Sequence, residues 1–184
     1  NGVQCWGWND YGQTDVPVLS NPVQISAGTA HSCVVEDGSG VVCWGSNETG
    51  YIESFPQEIG AAVVRVETGQ LDVPRRFVLS NPKQVSAGHN HTCALDDEGV
   101  QCWGSNKKPS YDDTGNYVGE IHSGQLDVPL LSNPVLVSAG SYASCAIDDN
   151  GVQCWGNNNS IIVDDEGNYA GEIVTGQIDV PPVS

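Results

Sequence analysis

Four times the chain reads Cys-Trp-Gly, at 5–7, 43–45, 102–104 and 154–156, and this self-similarity limits the fold more than any other feature. Each copy is followed by Gly-Gln and then Asp-Val-Pro, at 12–17, 69–74, 124–129 and 176–181. Leu-Ser-Asn-Pro follows three times, at 19–22, 79–82 and 131–134, with Ser-Ala-Gly after it at 26–28, 86–88 and 138–140. From the serine of Ser-Ala-Gly to the tryptophan the step is 18, 17 and 17 residues, whereas from tryptophan to Gly-Gln it runs from 6 to 25. One fixed and one elastic segment per copy describe a rigid unit carrying a variable loop, because insertions fall on exposed connections.

Inside the rigid unit the pattern is strand, turn, strand. Thr92-Cys93-Ala94-Leu95 alternates, Asp96-Asp97-Glu98-Gly99 is turn chemistry, and Val100-Gln101-Cys102-Trp103 alternates again, which predicts a β-hairpin. Pairing Leu95 with Val100 sets Cys93 opposite Cys102; Ile147 with Val152 does the same for Cys145 and Cys154. The first unit has one more turn residue, yet Val35 and Val41 still set Cys33 opposite Cys43. A register that survives a change of turn length favours three cross-strand disulfides, each worth roughly 2–3 kcal/mol in the chain-entropy model. Buried free thiols are the alternative; a zinc site is a weaker one, since spacings of 10, 9 and 9 lack the close ligand pairs zinc prefers. Cys5 is left over, its partner position about nine residues before the start by the same register. Disulfides place the protein in an oxidising compartment, secreted or at a cell surface. Three sequons, at Asn47, Asn90 and Asn158, agree with secretion and mark candidate glycosylation sites.

Charge narrows the partners. With 23 acidic and 6 basic side chains the net charge is -17, opposite to the footprint that nucleic acid or an anionic membrane surface requires. Only 16% of residues are charged and 39% are hydrophobic, with 22 glycines and 10 prolines, a composition of a turn-rich β-protein rather than a disordered tail. No apolar run is long enough to insert in a membrane as a helix. Methionine is absent even at position 1, so the chain is expected to be processed, excised or incompletely observed.

The order Ser-Ala-Gly-x-x-His-Ser/Thr-Cys, Gly-Val-x-Cys-Trp-Gly-x-Asn, Gly-Gln-x-Asp-Val-Pro, cleanest from Ser86 to Asn106, resembles the regulator of chromosome condensation repeat in its cysteine-containing bacterial form. The resemblance implies an all-β fold, a β-propeller with one blade per repeat and commonly seven blades. About three and a half repeats are present: a partial blade at 1–22 and blades at 23–82, 83–134 and 135–184, forming a single repeat domain. Such an arc exposes strand edges, and neither end has a polar cap. The expectation is completion of the ring by further chain or by another copy.

The tryptophans of the repeat, Trp6, Trp44, Trp103 and Trp155, are expected to pack between blades, with Ala94 and Ala146 leaving room for them. Trp8 lies outside the pattern and is expected to be exposed. His31 and His91 share a repeat position that Ala143 fills in the third unit, a structural rather than catalytic pattern, while His89 and His122 have no evident partners. Two acidic stretches repeat one another. Asp112, Asp113, Asn116 and Glu120 in the first, and Asp164, Asp165, Asn168 and Glu172 in the second, offer hard oxygen ligands for calcium without an EF-hand spacing. The competing reading is an exposed hairpin turning at Gly-Asn. Acidic turns at 36–37, 96–98 and 148–149 would form a charged rim. No nucleophile–base arrangement or phosphate loop stands out, and no enzyme is expected. Two functions remain: an extracellular structural or adhesive protein assembling with copies of itself, or a secreted module, such as an enzyme inhibitor, gripping a protein partner with its long loops.

Overall fold

The structure, a computed structural model, describes residues 2–52, 63–73, 79–112, 114, 116–163 and 169–181. The described residues form fifteen strands and no helix, arranged as three three-stranded antiparallel sheets that alternate along the chain with three two-stranded ones. The first sheet is β1 (Pro22–Ala27), β2 (His31–Glu36) and β3 (Gly40–Gly45), followed by a hairpin of β4 (Glu48–Ile52) and β5 (Val63–Glu67). The second is β6 (Gln84–Ala87), β7 (His91–Asp96) and β8 (Gly99–Gly104), with its hairpin β9 (Lys107–Tyr111) and β10 (Tyr117–His122). The third is β11 (Leu136–Ala139), β12 (Ala143–Asp148) and β13 (Gly151–Gly156), with β14 (Asn159–Val163) and β15 (Tyr169–Val174). These are β-propeller blades, incomplete as a ring.

The expected cysteine register is the one found: Cys33 faces Cys43, Cys93 faces Cys102 and Cys145 faces Cys154. All three pairs are disulfide-bonded, and Cys5 is free. The Ser-Ala-Gly segments, by contrast, form the first strand of each blade, an element the strand–turn–strand reading leaves out. Their pairing sets Ser26 against Cys33, Ser86 against Cys93 and Ser138 against Cys145.

Contacts between blades run through these first strands. One core holds Cys33 and Val35 of the first blade against Val85, Ala87, Ala94 and Trp103 of the second. The next holds Cys93 and Leu95 of the second against Val137, Ala146 and Trp155 of the third. In both cores the disulfide and its aliphatic neighbour thus face forward onto the tryptophan side of the following blade. Cys33 and Cys93 are fully buried, which explains how a bridge exposed in an isolated hairpin becomes core.

Polar bonds lock the same junctions. Gln24 donates to the Val85 carbonyl (3.1 Å) and accepts from the Val85 amide (2.8 Å); Gln84 treats Val137 identically, at 2.9 and 3.0 Å. Ser26 accepts from the Ala87 amide and Ser86 from that of Ala139. At the turn between the first two strands the Thr29 amide donates to the Gly88 carbonyl, and the His89 amide to that of Gly140. That approach demands glycine: a Cβ on Gly28 would lie 2.4 Å from the Gly88 oxygen, and one on Gly88 2.4 Å from the Gly140 oxygen.

Trp44, Trp103 and Trp155 are buried at 8%, 5% and 6% exposure, each indole N–H donating at 3.0 Å to the carbonyl of Gln13, Gln70 or Gln125 from the Gly-Gln segment before its blade. Trp6 departs from this expectation at 85% exposure. Among the described residues no strand pairs with 5–7, so Trp6 has neither a sheet to hold it nor a preceding Gly-Gln carbonyl to receive its N–H.

Candidate protein-binding face

The elastic loops begin and end at one recurring socket. Asn47 accepts from the Leu71 amide through Oδ1 (2.9 Å), donates to Asp72 through Nδ2 (3.3 Å), and receives the Thr68 amide on its carbonyl. Asn106 repeats these bonds with Leu126, Asp127 and Ser123, and Asn158 with Ile178, Asp179 and Thr175. Beneath each asparagine a glutamine turns inward: Gln70, Gln125 and Gln177 donate to the carbonyls of Ser46, Ser105 and Asn157. Gln70 and Gln125 are 1% and 0% exposed, so their amides are structural. The shortest loop uses the same device: Asn9 donates to Asp15 (2.8 Å) and accepts from the Thr14 amide. Whatever is inserted leaves and re-enters through fixed geometry.

Three sockets carry hairpins, and the fourth carries Trp8 and Tyr11, exposed at 56% and 40% and stacked edge-to-face with centroids 5.2 Å apart. The second and third hairpins are tied together by Lys108, 8% exposed, which reaches Glu172 at 3.3 Å; Lys107 meets Glu120 at 3.7 Å within the second hairpin. They also leave apolar side chains in solvent, Val118 and Ile121 on β10 and Ile162, Ile173 and Val174 on the third. Under the second hairpin lie Tyr142 and His89, ring to ring at 5.5 Å. Burial, then the neighbouring Tyr111 and Glu120, push the Tyr142 phenol up to about 12; burial also holds His89 below its ordinary value.

Two histidines form side-chain pairs with hydroxyls that superficially look catalytic. His31 Nε2 lies 3.0 Å from Thr92 Oγ1, and His91 Nε2 2.8 Å from Ser144 Oγ. Each hydroxyl spends its proton on a Gly-Gln carbonyl, Thr92 on Gln70 and Ser144 on Gln125, so it must accept from the histidine N–H. The result is a relay from one blade into the next, ending on the carbonyl that also receives the tryptophan. All four side chains are at most 1% exposed, and both Nδ1 atoms lack a partner, so neither pair has an orienting acid or access to substrate. Burial, reinforced by the like charge of His89 and, for His91, of His31, lowers both imidazoles from 6.5 to about 4.

Residues 23–50, 83–108 and 135–161 match the model of the regulator of chromosome condensation repeat. The chain carries regulator of chromosome condensation repeats. It is 27% identical over 161 residues to protein pim1 of Schizosaccharomyces pombe, covering 79% of this chain and 29% of that one. It is also 33% identical over 91 residues to the regulator of chromosome condensation of Mus musculus, covering 49% and 20%. The chain thus spans less than a third of the length of either relative. Among solved structures it resembles the CRINKLY WD40 ectodomain of the Arabidopsis thaliana receptor kinase ACR4, at a TM-score of 0.50 and 17% identity, over 93% of this chain and 59% of that one. That likeness shows the fold. The matched repeat segments take in the blades and the socket asparagines and stop two or three residues into each hairpin, at Gly50, Lys108 and Ile161. The repeat is therefore the scaffold, and the hairpins are what this chain adds to it.

Several residues expected from sequence to be ligand or modification sites have partners of their own in the structure. Asp112 accepts from the amides of Thr114 and Asn116 and from both their side chains, closing the β9–β10 turn, with its carboxyl held down to about 2, first by the Thr114 hydroxyl and then by the Asn116 amide. Glu120 pairs with Lys107, and Glu172, from the second acidic stretch, with Lys108. Asp113, Asp164, Asp165 and Asn168 lie outside the described residues, and among those described no three His, Cys, Asp or Glu are placed to hold a metal ion. Asn90 is 3% exposed, leaving no space for a glycan in the folded chain. A glycan on Asn47 or Asn158 would push against the aspartate each bonds in its socket. The acidic rim is also partly internal: Glu36, Asp96 and Asp148 are buried and cap the amides of Ser20, Ser80 and Ser132. His122, without an evident partner in the sequence, meets Asn106 and Asp127 at the second socket.

Proposed function

We propose that the chain is an extracellular, non-enzymatic propeller segment that binds a protein partner through its row of hairpins. The observation that supports this most is the socket, one set of side chains presenting four inserts of different length, with exposed apolar residues on the hairpins. Rigid mounts with variable loops are how scaffolds carry recognition, and exposed apolar side chains rimmed by charge suit a protein surface. Three disulfides support an oxidising compartment. The acidic balance of -17 favours a partner with a basic contact region.

The test exchanges the second insert, residues 107–122, for the short loop of the first socket and follows capture of extracellular proteins by crosslinking. A partner held by the intact chain should be lost at least tenfold, with the blades still folded by circular dichroism. Capture unaffected by the exchange ends the reading. Self-assembly into a structural array is favoured by a different observation, the apolar blade faces left open at Val23 and Ile25 and at Ile147 and Val152. It predicts concentration-dependent growth in sedimentation at ordinary salt, and a persistent monomer sinks it.

A further inference from the structure

The chain has three lysines, and each meets a carboxylate. Lys107 pairs with Glu120 inside its own hairpin, and Lys83 with Asp97 beside a blade turn. Lys108 instead crosses between hairpins, from β9 to Glu172 on β15, its Nζ 3.3 Å from Oε1 and 3.4 Å from Oε2. The same Oε2 accepts Asn159 Nδ2 of β14 at 3.3 Å. An amine and a carboxamide from two different hairpins thus sit side by side on one oxygen. Asn159 has no duty in the socket, which Asn158 closes, and it stands where the second hairpin has Lys107. Burial separates this trio from a similar one. Asn81 Nδ2 and Lys83 Nζ also share a carboxylate, that of Asp97, at 3.2 and 2.6 Å. There the lysine side chain is 57% exposed, against 10% for Lys108. In solvent the long chain of Lys83 samples many positions and water reaches the amide; between the hairpins Lys108 is held in one place with little water around it. Glu172 keeps one side open, at 32% exposure, a way out for a small leaving group.

We propose that Lys108 and Asn159 join through a side-chain amide, Nζ to Cγ, with Glu172 moving the protons. Glu172 takes a proton from Nζ, and the freed lone pair attacks Cγ, forming the new C–N bond and placing an electron pair on Oδ1. Of the two protons that leave Nζ, Glu172 passes one to Nδ2, so that the Cγ–Nδ2 bond breaks as the Oδ1 pair returns. The second departs with the ammonia as ammonium. Nothing is oxidised or reduced, and no co-reactant is consumed. The product clamps β9 to β14 and fixes the spacing of two hairpins whatever they bind, so it stands apart from the binding reading. Unlike the disulfides, it survives reduction.

Mass spectrometry of the folded chain, incubated at neutral pH and then reduced and denatured, tests the proposal. The chain should be lighter than its sequence by one ammonia, and after cleavage at aromatic residues the peptides holding Lys108 and Asn159 should travel as one branched species. Lys108→Arg keeps the charge and the contact with Glu172 but offers no nucleophilic amine, so both signs should vanish. Asn159→Ala should abolish them too, and Glu172→Gln should slow their appearance by about a hundredfold or more. Mapping the three disulfides in each variant reports that it has folded. Separate recovery of the two peptides from the folded wild-type chain overturns the proposal. So does an ammonia deficit that persists in Lys108→Arg, which would report an asparagine cyclising on its own backbone, or a branched species that forms as fast in Glu172→Gln.

Discussion

The two internal blade junctions and the forward face of the third blade start from the same sheet and end differently. At the junctions a glutamine brackets the next blade's backbone, a histidine reaches its hydroxyl, and a glycine lets two turns touch. On the third blade leucine and alanine replace the glutamine and histidine, and a Cβ on Gly140 meets only the Ala143 carbonyl of its own blade, at 3.2 Å. Yet β12 and β13 pair in the same register as β7 and β8, down to the facing cysteines. Glutamine, histidine and the close glycine are thus devices for joining blades and contribute little to making one.

Acid should separate the two most strongly. His31 and His91 are neutral when folded, with values near 4 against 6.5 when free, so they contribute stability above pH 6.5 that is lost as pH falls toward 4. At full loss each costs about 3 kcal/mol. From pH 7 to 4.5, hydrogen-exchange protection factors, corrected for the intrinsic pH dependence, should fall at Val85, Ala87, Val137 and Ala139, whose amides bond across junctions, before they fall in the β12–β13 ladder. Simultaneous release of both sets breaks the distinction.

Gly88→Ala comes next, wedging a methyl into backbone for about 1–3 kcal/mol of overpacking. Gly140→Ala should shift stability by under about 1 kcal/mol in urea melts; equal losses would mean that the third face is covered after all. Gln84→Leu copies the third blade onto the second junction and strips the Val137 amide and carbonyl of their partner, for about 1–3 kcal/mol. The reverse change, Leu136→Gln, should lie within about 0.5 kcal/mol of wild type. The smallest effect is kinetic. Cys145–Cys154 is partly exposed where Cys33 and Cys93 are fully buried, so limited dithiothreitol should reduce it first, as peptide mapping would show.

Much of a blade could be read in the chain because its determinants are local. Alternation around 93–102 dictates the strand register, and the register dictates the disulfide. The first strand is harder to read, since Gln84–Ala87 is only four residues long and gains its meaning from the neighbouring blade. Non-local partners also hid the sockets: Asn47 and Asp72 sit 25 residues apart, and nothing near either reveals their bond. The sequons leave placement open for the same reason, because Asn-x-Ser/Thr registers a side chain's identity and not its burial. Ala143 in place of histidine did reveal a structural role, while leaving unstated that the structure concerned lies between blades. The acidic stretches were ambiguous because a carboxylate that could bind an ion can equally accept turn amides, as Asp112 does.

The socket also bears on how such a chain can change over time. Because Asn47, Asn106 and Asn158 close their loops with the same bonds, the free-energy cost of a longer insert is mostly that of ordering the insert itself, and loop-closure entropy grows only slowly with length. Lengthening, shortening or exchanging a hairpin leaves the socket bonds in place, and what must readjust is limited to ties such as Lys108–Glu172 and the cover over Tyr142. The contact surface can diversify one position at a time while the disulfide-stapled arc beneath it stays the same.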